Sequence, residues 1–531
     1  MNACGCQTKT RPVISIFLLL FSVLACHSAM AAFMDEVTVE EGKLKGTVEK
    51  NIAIYKGVPF ARPPVGELRW KAPQPAQHWN GVKTAQAYAP APMQAGEPPS
   101  GKSEDCLYLN IWTPATSPDD DIPVFVWIYG GGFSFGASSD PIFDGRALAN
   151  KGVIVVSIAY RVGQLGFLAH PELSAESPHG VSGNYGILDQ IAALKWIKKN
   201  ISQFGGNPDN ITIAGESAGG ISVSMLSASP LAKGLFEKAI SQSGGSFGPP
   251  REVNYPGENM SLLEQAESEG KEYVKQFGTT SIDALRKMDA ETFIPQGWSL
   301  PGGWPIIDGY VIPDDQYTLY QQGKFNDTPV LIGYNSDEGL SFVRDPDPQH
   351  FIEGMDQRFD KFSSKLINAY SISREAVTRN ARNLVRDAAF GWHTWSWAKL
   401  QTAHGNSDAY LYYFDQRPNH SKGSENSNEG SAHGQEIAYV FKHLDESNPD
   451  IEKHALELSE SMATYWTNFV KSGNPNGADL PQWPVFEPGS PTVMHFNDIP
   501  KTGPVADINA LKVLDDYFEW RRTGDGRKLQ R

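Results

Sequence analysis

The chain has 531 residues, 40% of them apolar, so it can bury a large core, and length alone allows two to four domains. Its 46 basic and 61 acidic side chains give a formal charge of −15, with no run of five like charges. Such a surface disfavours phosphate backbones, so a nucleic-acid partner is not expected.

The N-terminus, MNACGCQTKTR, leads into the apolar run VISIFLLLFSVLA, which is shorter than the roughly 17 to 25 residues a membrane-spanning helix needs. It reads as a secretory signal over residues 1–31, with small residues at Ala29-Met30-Ala31 for cleavage. Val23-Leu24-Ala25-Cys26 is an imperfect lipoprotein-type site that would instead keep Cys26 as a lipid anchor. The preferred reading is a soluble exported product, periplasmic or secreted, with no transmembrane span. Cysteines stand at 4, 6, 26 and 106, so cleavage leaves Cys106 alone, without a disulfide partner.

Apolar runs resembling buried parallel strands follow: VFVWIY at 124–129, VIVVSIAY at 153–160, ITIAG at 211–215, KAISQSG at 238–244, PVLIGYN at 329–335 and AYLYYF at 409–414. DQIAALKWIKKNISQF at 189–204 carries Leu194, Ile197, Ile201 and Phe204 on one helical face and is stopped by Gly205-Gly206. LELSESMATYWTNFVKSG predicts a second helix that ends on Gly473. Strands alternating with helices predict an α/β fold, a large, mostly parallel sheet covered on both faces. There is no internal repeat or long linker, and the polar stretch 417–434 reads as a loop, so residues 32–531 are expected to form one domain with long insertions.

Gly215-Glu216-Ser217-Ala218-Gly219 lies between the strand ITIA and a predicted helix, AGGISVSMLSAS. A serine on such a turn suits a nucleophile, because flanking glycines let backbones pass closely and the Ala218 amide at a helix start can stabilise an oxyanion. Further amide donors are offered by Gly130-Gly131-Gly132, directly after VFVWIY. A serine hydroxyl needs a base, and the base needs a carboxylate to fix its tautomer. Asp337 and Glu338 leave the strand PVLIGYN at the edge where sites of open sheets gather; spacing does not choose between them, and on composition either reads equally as a solvated turn residue.

Two Ala-His-Gly copies follow, around His404 and His433. His404 precedes AYLYYF and His433 follows it, so only His433 is on the C-terminal side of that strand. His433 is therefore the expected base and His404 a surface residue. His350, His393, His420, His443, His454 and His495 read as solvated or packed side chains. With no His-Glu-x-x-His, paired-cysteine spacing, EF-hand loop, phosphate loop or dinucleotide fingerprint, no metal or cofactor is expected.

YKGVPFARPPVGELRWKAPQP, SEDCLYLNIW, VWIYGGGFSFG, the segment from GNYGILDQ to AGESAGG, GYNSDEG and AHGQEIAYVF together resemble the type B carboxylesterases, in the family's order. The resemblance implies an α/β-hydrolase fold and hydrolysis of a small-molecule ester through an acyl-enzyme. It implies Ser217 as nucleophile, Glu338 rather than Asp337 as acid, His433 as base, Gly131, Gly132 and Ala218 as oxyanion donors, and Ser243 as a further member of the network. Arg69 and Glu104 match a structural ion pair. Many secreted relatives pair the cysteine of SEDCLYLN with one upstream, where this chain has Ala91. The tryptophan with which cholinesterases hold a quaternary ammonium is missing from MQAGEPPSGKSED, and Tyr129 replaces a histidine common before the glycines. The same triad in a lipase, amidase or polyester hydrolase, or an inactive adhesion module of this fold, are the alternative readings. Phe133, Phe135, Trp298 and Trp304 are either pocket lining or core. Neither the ester nor the oligomeric state is legible.

Overall fold

A long strand whose six last residues are all buried, Ile211–Glu216, points to a sheet covered on both faces, because successive side chains point to opposite sides. The computed structural model describes residues 1–2, 5, 34–250, 255, 257–258, 260–295, 303–343, 347–373, 377–417, 429–445, 447 and 453–527. The leader reading, with Cys26, and Trp298 and His420 lie outside them. Phe33–Arg531 forms one compact unit.

In chain order the strands are β1 (Glu36–Val39), β2 (Gly42–Lys45), β3 (Thr47–Glu49), β4 (Ile52–Pro59), β5 (Val82–Thr84), β6 (Tyr108–Thr113) and β7 (Ile122–Ile128). They continue with β8 (Ile154–Ile158), β9 (Gly206–Glu216), β10 (Lys238–Gln242), β11 (Val330–Asn335), β12 (Ala409–Phe414), β13 (Thr492–Phe496) and β14 (Lys501–Pro504). β1, β2 and β5 make a small sheet. The other eleven form one sheet in the order β14-β13-β12-β11-β10-β9-β7-β8-β6-β4-β3.

The seven strands from β13 to β8 run parallel, and antiparallel strands close both edges. The expected α/β-hydrolase architecture is thus present, with antiparallel edges that the buried runs did not announce. Strand order reverses between β7 and β9, and at such a switch point loops diverge to opposite faces and leave a crevice. Helices α1 (Tyr185–Asn200) and α2 (Ala218–Ala228) follow β8 and β9, and α3 (Lys453–Ser472) packs against β7 and β9. Helix α1 begins four residues before the predicted start, and Ile201–Phe204 tightens into a 3₁₀ turn capped by left-handed Gly205.

Candidate active site

Five consecutive strands of the sheet, β7, β9, β10, β11 and β12, deliver the candidate residues from one end. Gly130–Gly132 follow β7, Ser217 follows β9, Ser243 follows β10, Glu338 stands three residues beyond β11, and His433 sits in the segment after β12. The glycine loop and Ser217 therefore straddle the switch point.

Ser217 has φ 54° and ψ −123°, a conformation that costs a non-glycine residue about 1–3 kcal/mol and persists only where its surroundings enforce it. They do so through close packing. Its N–H donates to the Gln242 carbonyl at 2.9 Å, and α2 starts at the next residue. A Cβ on Gly219 would sit 2.0 Å from the Ile128 carbonyl oxygen, so only glycine lets α2 press against the end of β7. Gly131 and Gly132 have φ of +99° and +58°. Among the described residues, no protein group accepts a hydrogen bond from the amides of Gly131, Gly132 or Ala218. Three N–H groups of this kind can serve a developing oxyanion.

Glu338 is fully buried at the start of a 3₁₀ turn. Its Oε1 accepts from the Ser243 hydroxyl at 2.6 Å and the Asn335 amide at 2.7 Å, and its Oε2 lies 2.5 Å from His433 Nδ1. That contact assigns the proton-bearing nitrogen to Nδ1 and leaves Nε2 as the basic one. Phe390 and Phe342 flank the imidazole, with ring centroids at 4.7 and 5.2 Å. The structure thus brings Ser243, Glu338 and His433 together. The Ser217 hydroxyl makes no hydrogen bond among the described residues; instead His433 Nε2 lies 3.3 Å from Oε1 of Glu216.

Asp337 and Glu338 are both buried, so neither is the solvated turn residue that composition allowed. Asp337 Oδ2 accepts from Arg379 at 2.6 Å and from the Gly430 amide at 3.1 Å. The Asp337 amide donates to the Ser431 carbonyl, and the Ser431 amide to the Ser336 hydroxyl. Asp337 thereby ties the acid loop to the histidine loop while Glu338 faces the ring. His404 ends the helix Trp392–His404 and is exposed. His393 is buried, its Nδ1 accepting from the Phe247 amide at 3.0 Å, and burial lowers its pKa to about 4.

Two further carboxyls surround His433 that sequence spacing did not single out. Glu216 is next to Ser217, and Glu436 accepts from Gln242 at 3.0 Å and from Asn335. Burial pulls the imidazole towards neutrality, but the charges of Glu216 and Glu338 outweigh it and raise its pKa. Burial raises the Glu216 carboxyl, helped by Glu436 and Glu338 and opposed by His433. Burial, with Glu338, also raises Glu436. Glu216 was legible as part of the pentapeptide, but the direction of its side chain was not.

Arg69 Nε and Nη2 each bond Glu104 at 2.6 Å, and Cys106 is buried and free. Tyr129 and Tyr160 stack at 4.5 Å, and each hydroxyl donates to the other's carbonyl. Phe133 is core, packed edge-on to Phe167 and Trp304, whereas Phe135 is exposed. Among the described residues no cluster of His, Cys, Asp and Glu could hold a metal ion, and no helix is long and apolar enough to cross a membrane.

A family model described as "Carboxylesterase family" matches residues 34–510. The chain is 36% identical over 476 residues to fumonisin B1 esterase of Sphingopyxis macrogoltabida, covering 84% of each. It is 35% identical over 480 residues to para-nitrobenzyl esterase of Bacillus subtilis (strain 168), covering 85% of this chain and 92% of that one. A solved PNB esterase superposes with a TM-score of 0.78 at 32% identity, covering 90% of this chain and 99% of the other.

Proposed function

Because the chain belongs to the carboxylesterase family and is a carboxylic ester hydrolase, we propose that it works in two steps through Ser217, His433 and Glu338. His433 Nε2 takes the Ser217 proton as Oγ attacks the ester carbonyl, and returns it to the leaving alcohol. It then takes a proton from water for deacylation. Glu338 holds the ring through Nδ1 and stabilises the imidazolium. The amides of Gly131, Gly132 and Ala218 receive the oxyanion. Losing one such donor typically costs about 10²–10³ in turnover.

The observation that carries this reading is the Nδ1–Glu338 contact at 2.5 Å, formed between neighbouring strand ends and leaving Nε2 as the basic nitrogen beside the nucleophile strand. Ser217→Ala tests it. Ester turnover should fall to background with an unchanged unfolding temperature; near-normal turnover would overturn it.

Residues 32–531 would then be one exported catalytic domain, periplasmic or secreted, after removal of the leader, and the N-terminal sequence of the exported protein checks this. Choline esters are not the preferred substrates in this reading, because the aromatic seat for a quaternary ammonium is missing from residues 93–105. A turnover panel of short, long, aromatic, choline and polycarboxylate esters, fumonisin B1 included, would define the acyl and alcohol groups accepted.

A further inference from the structure

We propose that Glu216 is a positioning residue for the second half-reaction, its Oε1 holding the hydrolytic water against Nε2 of His433. The proposal rests on Ser217 and His433 acting as described above. Glu216 is more than nine-tenths buried, and its Oε1 is a buried carboxylate oxygen without a hydrogen-bond partner among the described groups. An ionisable oxygen left in that condition is costly, and a bound water relieves it where polar partners converge. Nε2 lies 3.3 Å from this oxygen, so one water at ordinary lengths of about 2.8 Å reaches both.

The surroundings make room for the carboxylate. A Cβ on Gly130 would stand 2.8 Å from Glu216 Oε2, and one on Gly434 3.3 Å from Oε1. The first glycine of the triplet thus has a use of its own, apart from the two read as oxyanion donors. Glu216 also ends β9, directly before Ser217, so carboxylate and nucleophile share one rigid strand end.

In deacylation the water oxygen attacks the carbonyl carbon of the acyl-Ser217 ester while one water proton passes to Nε2. The tetrahedral intermediate collapses, the bond from carbon to Oγ breaks, and the proton on Nε2 moves to Oγ, releasing the carboxylic acid. Glu216 accepts a hydrogen bond from the other water hydrogen and gains no proton. Acylation uses no water, so removing Glu216 should slow the second step more than the first.

The test uses p-nitrophenyl acetate with wild type, Glu216→Ala and Glu216→Gln, recording the rate of p-nitrophenolate release and, by mass spectrometry, the fraction of enzyme acetylated on Ser217. Decay of the acetyl-enzyme should slow by about 10-fold or more in Glu216→Ala, with acetyl-Ser217 accumulating and its formation changed much less. Glu216→Gln, which keeps an acceptor of the same shape, should recover part of the decay rate and carries the test if the alanine variant does not fold. Formation and decay falling by one common factor, or acetyl-Ser217 no higher than in wild type, would overturn the proposal. Wild-type turnover without acetylation of Ser217 would instead remove the two-step reading beneath it.

Discussion

Ser243 bonds Glu338 at Oε1 while the imidazole meets Oε2, and its hydroxyl is one of two donors to Oε1 among the described residues. A hydrogen bond to a buried charge contributes about 1.5–3 kcal/mol, so Ser243→Ala should lower kcat/KM by about 10-fold or more and reduce the unfolding temperature. The pH profile reads the same centre. His433 is faced by Glu216, Glu338 and Glu436, with Tyr160 near Glu216 and Tyr412 near all three carboxyls. Only the neutral ring accepts a proton, and its pKa is raised. Activity should therefore be lost as pH falls through a value above the ordinary imidazole range of about 6.5. Glu216→Gln removes one of the charges that raise it, so the acid limb of kcat/KM should move to lower pH; a move to higher pH would contradict the assignment.

The histidine loop depends on its neighbour at the level of elements. Asp337 joins the turn after β11 to Gly430 and Ser431, three residues or fewer before His433. Asp337→Ala should release that loop, lowering kcat/KM by about 10-fold and the unfolding temperature with it, while Asp337→Asn keeps an acceptor for Gly430 and does less. This role was illegible in the sequence because Arg379 lies 42 residues from Asp337, and nothing local announces the pair. Elements with strong local signals were read well. β12 matched over all six residues because each is buried. The start of α1 was missed for a physical reason: Asn184 makes no side-chain cap, and its amide is spent on Ile306 and Asp308 across the fold. β9 extends back over Gly206-Asn207-Pro208-Asp209-Asn210, whose composition reads as a turn; Gly206 pairs with Ile122, and after a register shift the pairing with β7 resumes at Ile211.

For the whole molecule, the sheet order explains why a chain so long converges on one point. Parallel strands put all their C-terminal ends on one side, and the reversal between β7 and β9 opens the crevice there. Strand polarity puts His433 and not His404 after the C-terminal end of β12, and the structure has His404 exposed at the end of a helix. Which carboxyl contacts His433 is not legible from spacing, because two adjacent carboxylates leave the same strand and differ only in which way they turn. The outermost strands β3 and β14 are short and largely exposed and lack the continuous apolar run of a buried one, whereas β4 and β6 are mostly buried and a buried run does not tell an antiparallel strand from a parallel one. The most direct test of the central claim is mass spectrometry of the peptide carrying Ser217 after inactivation by diethyl p-nitrophenyl phosphate. One diethylphosphoryl group on Ser217, rising in proportion to lost esterase activity and absent in Ser217→Ala, is the expected result; inactivation with Ser217 unmodified would contradict it.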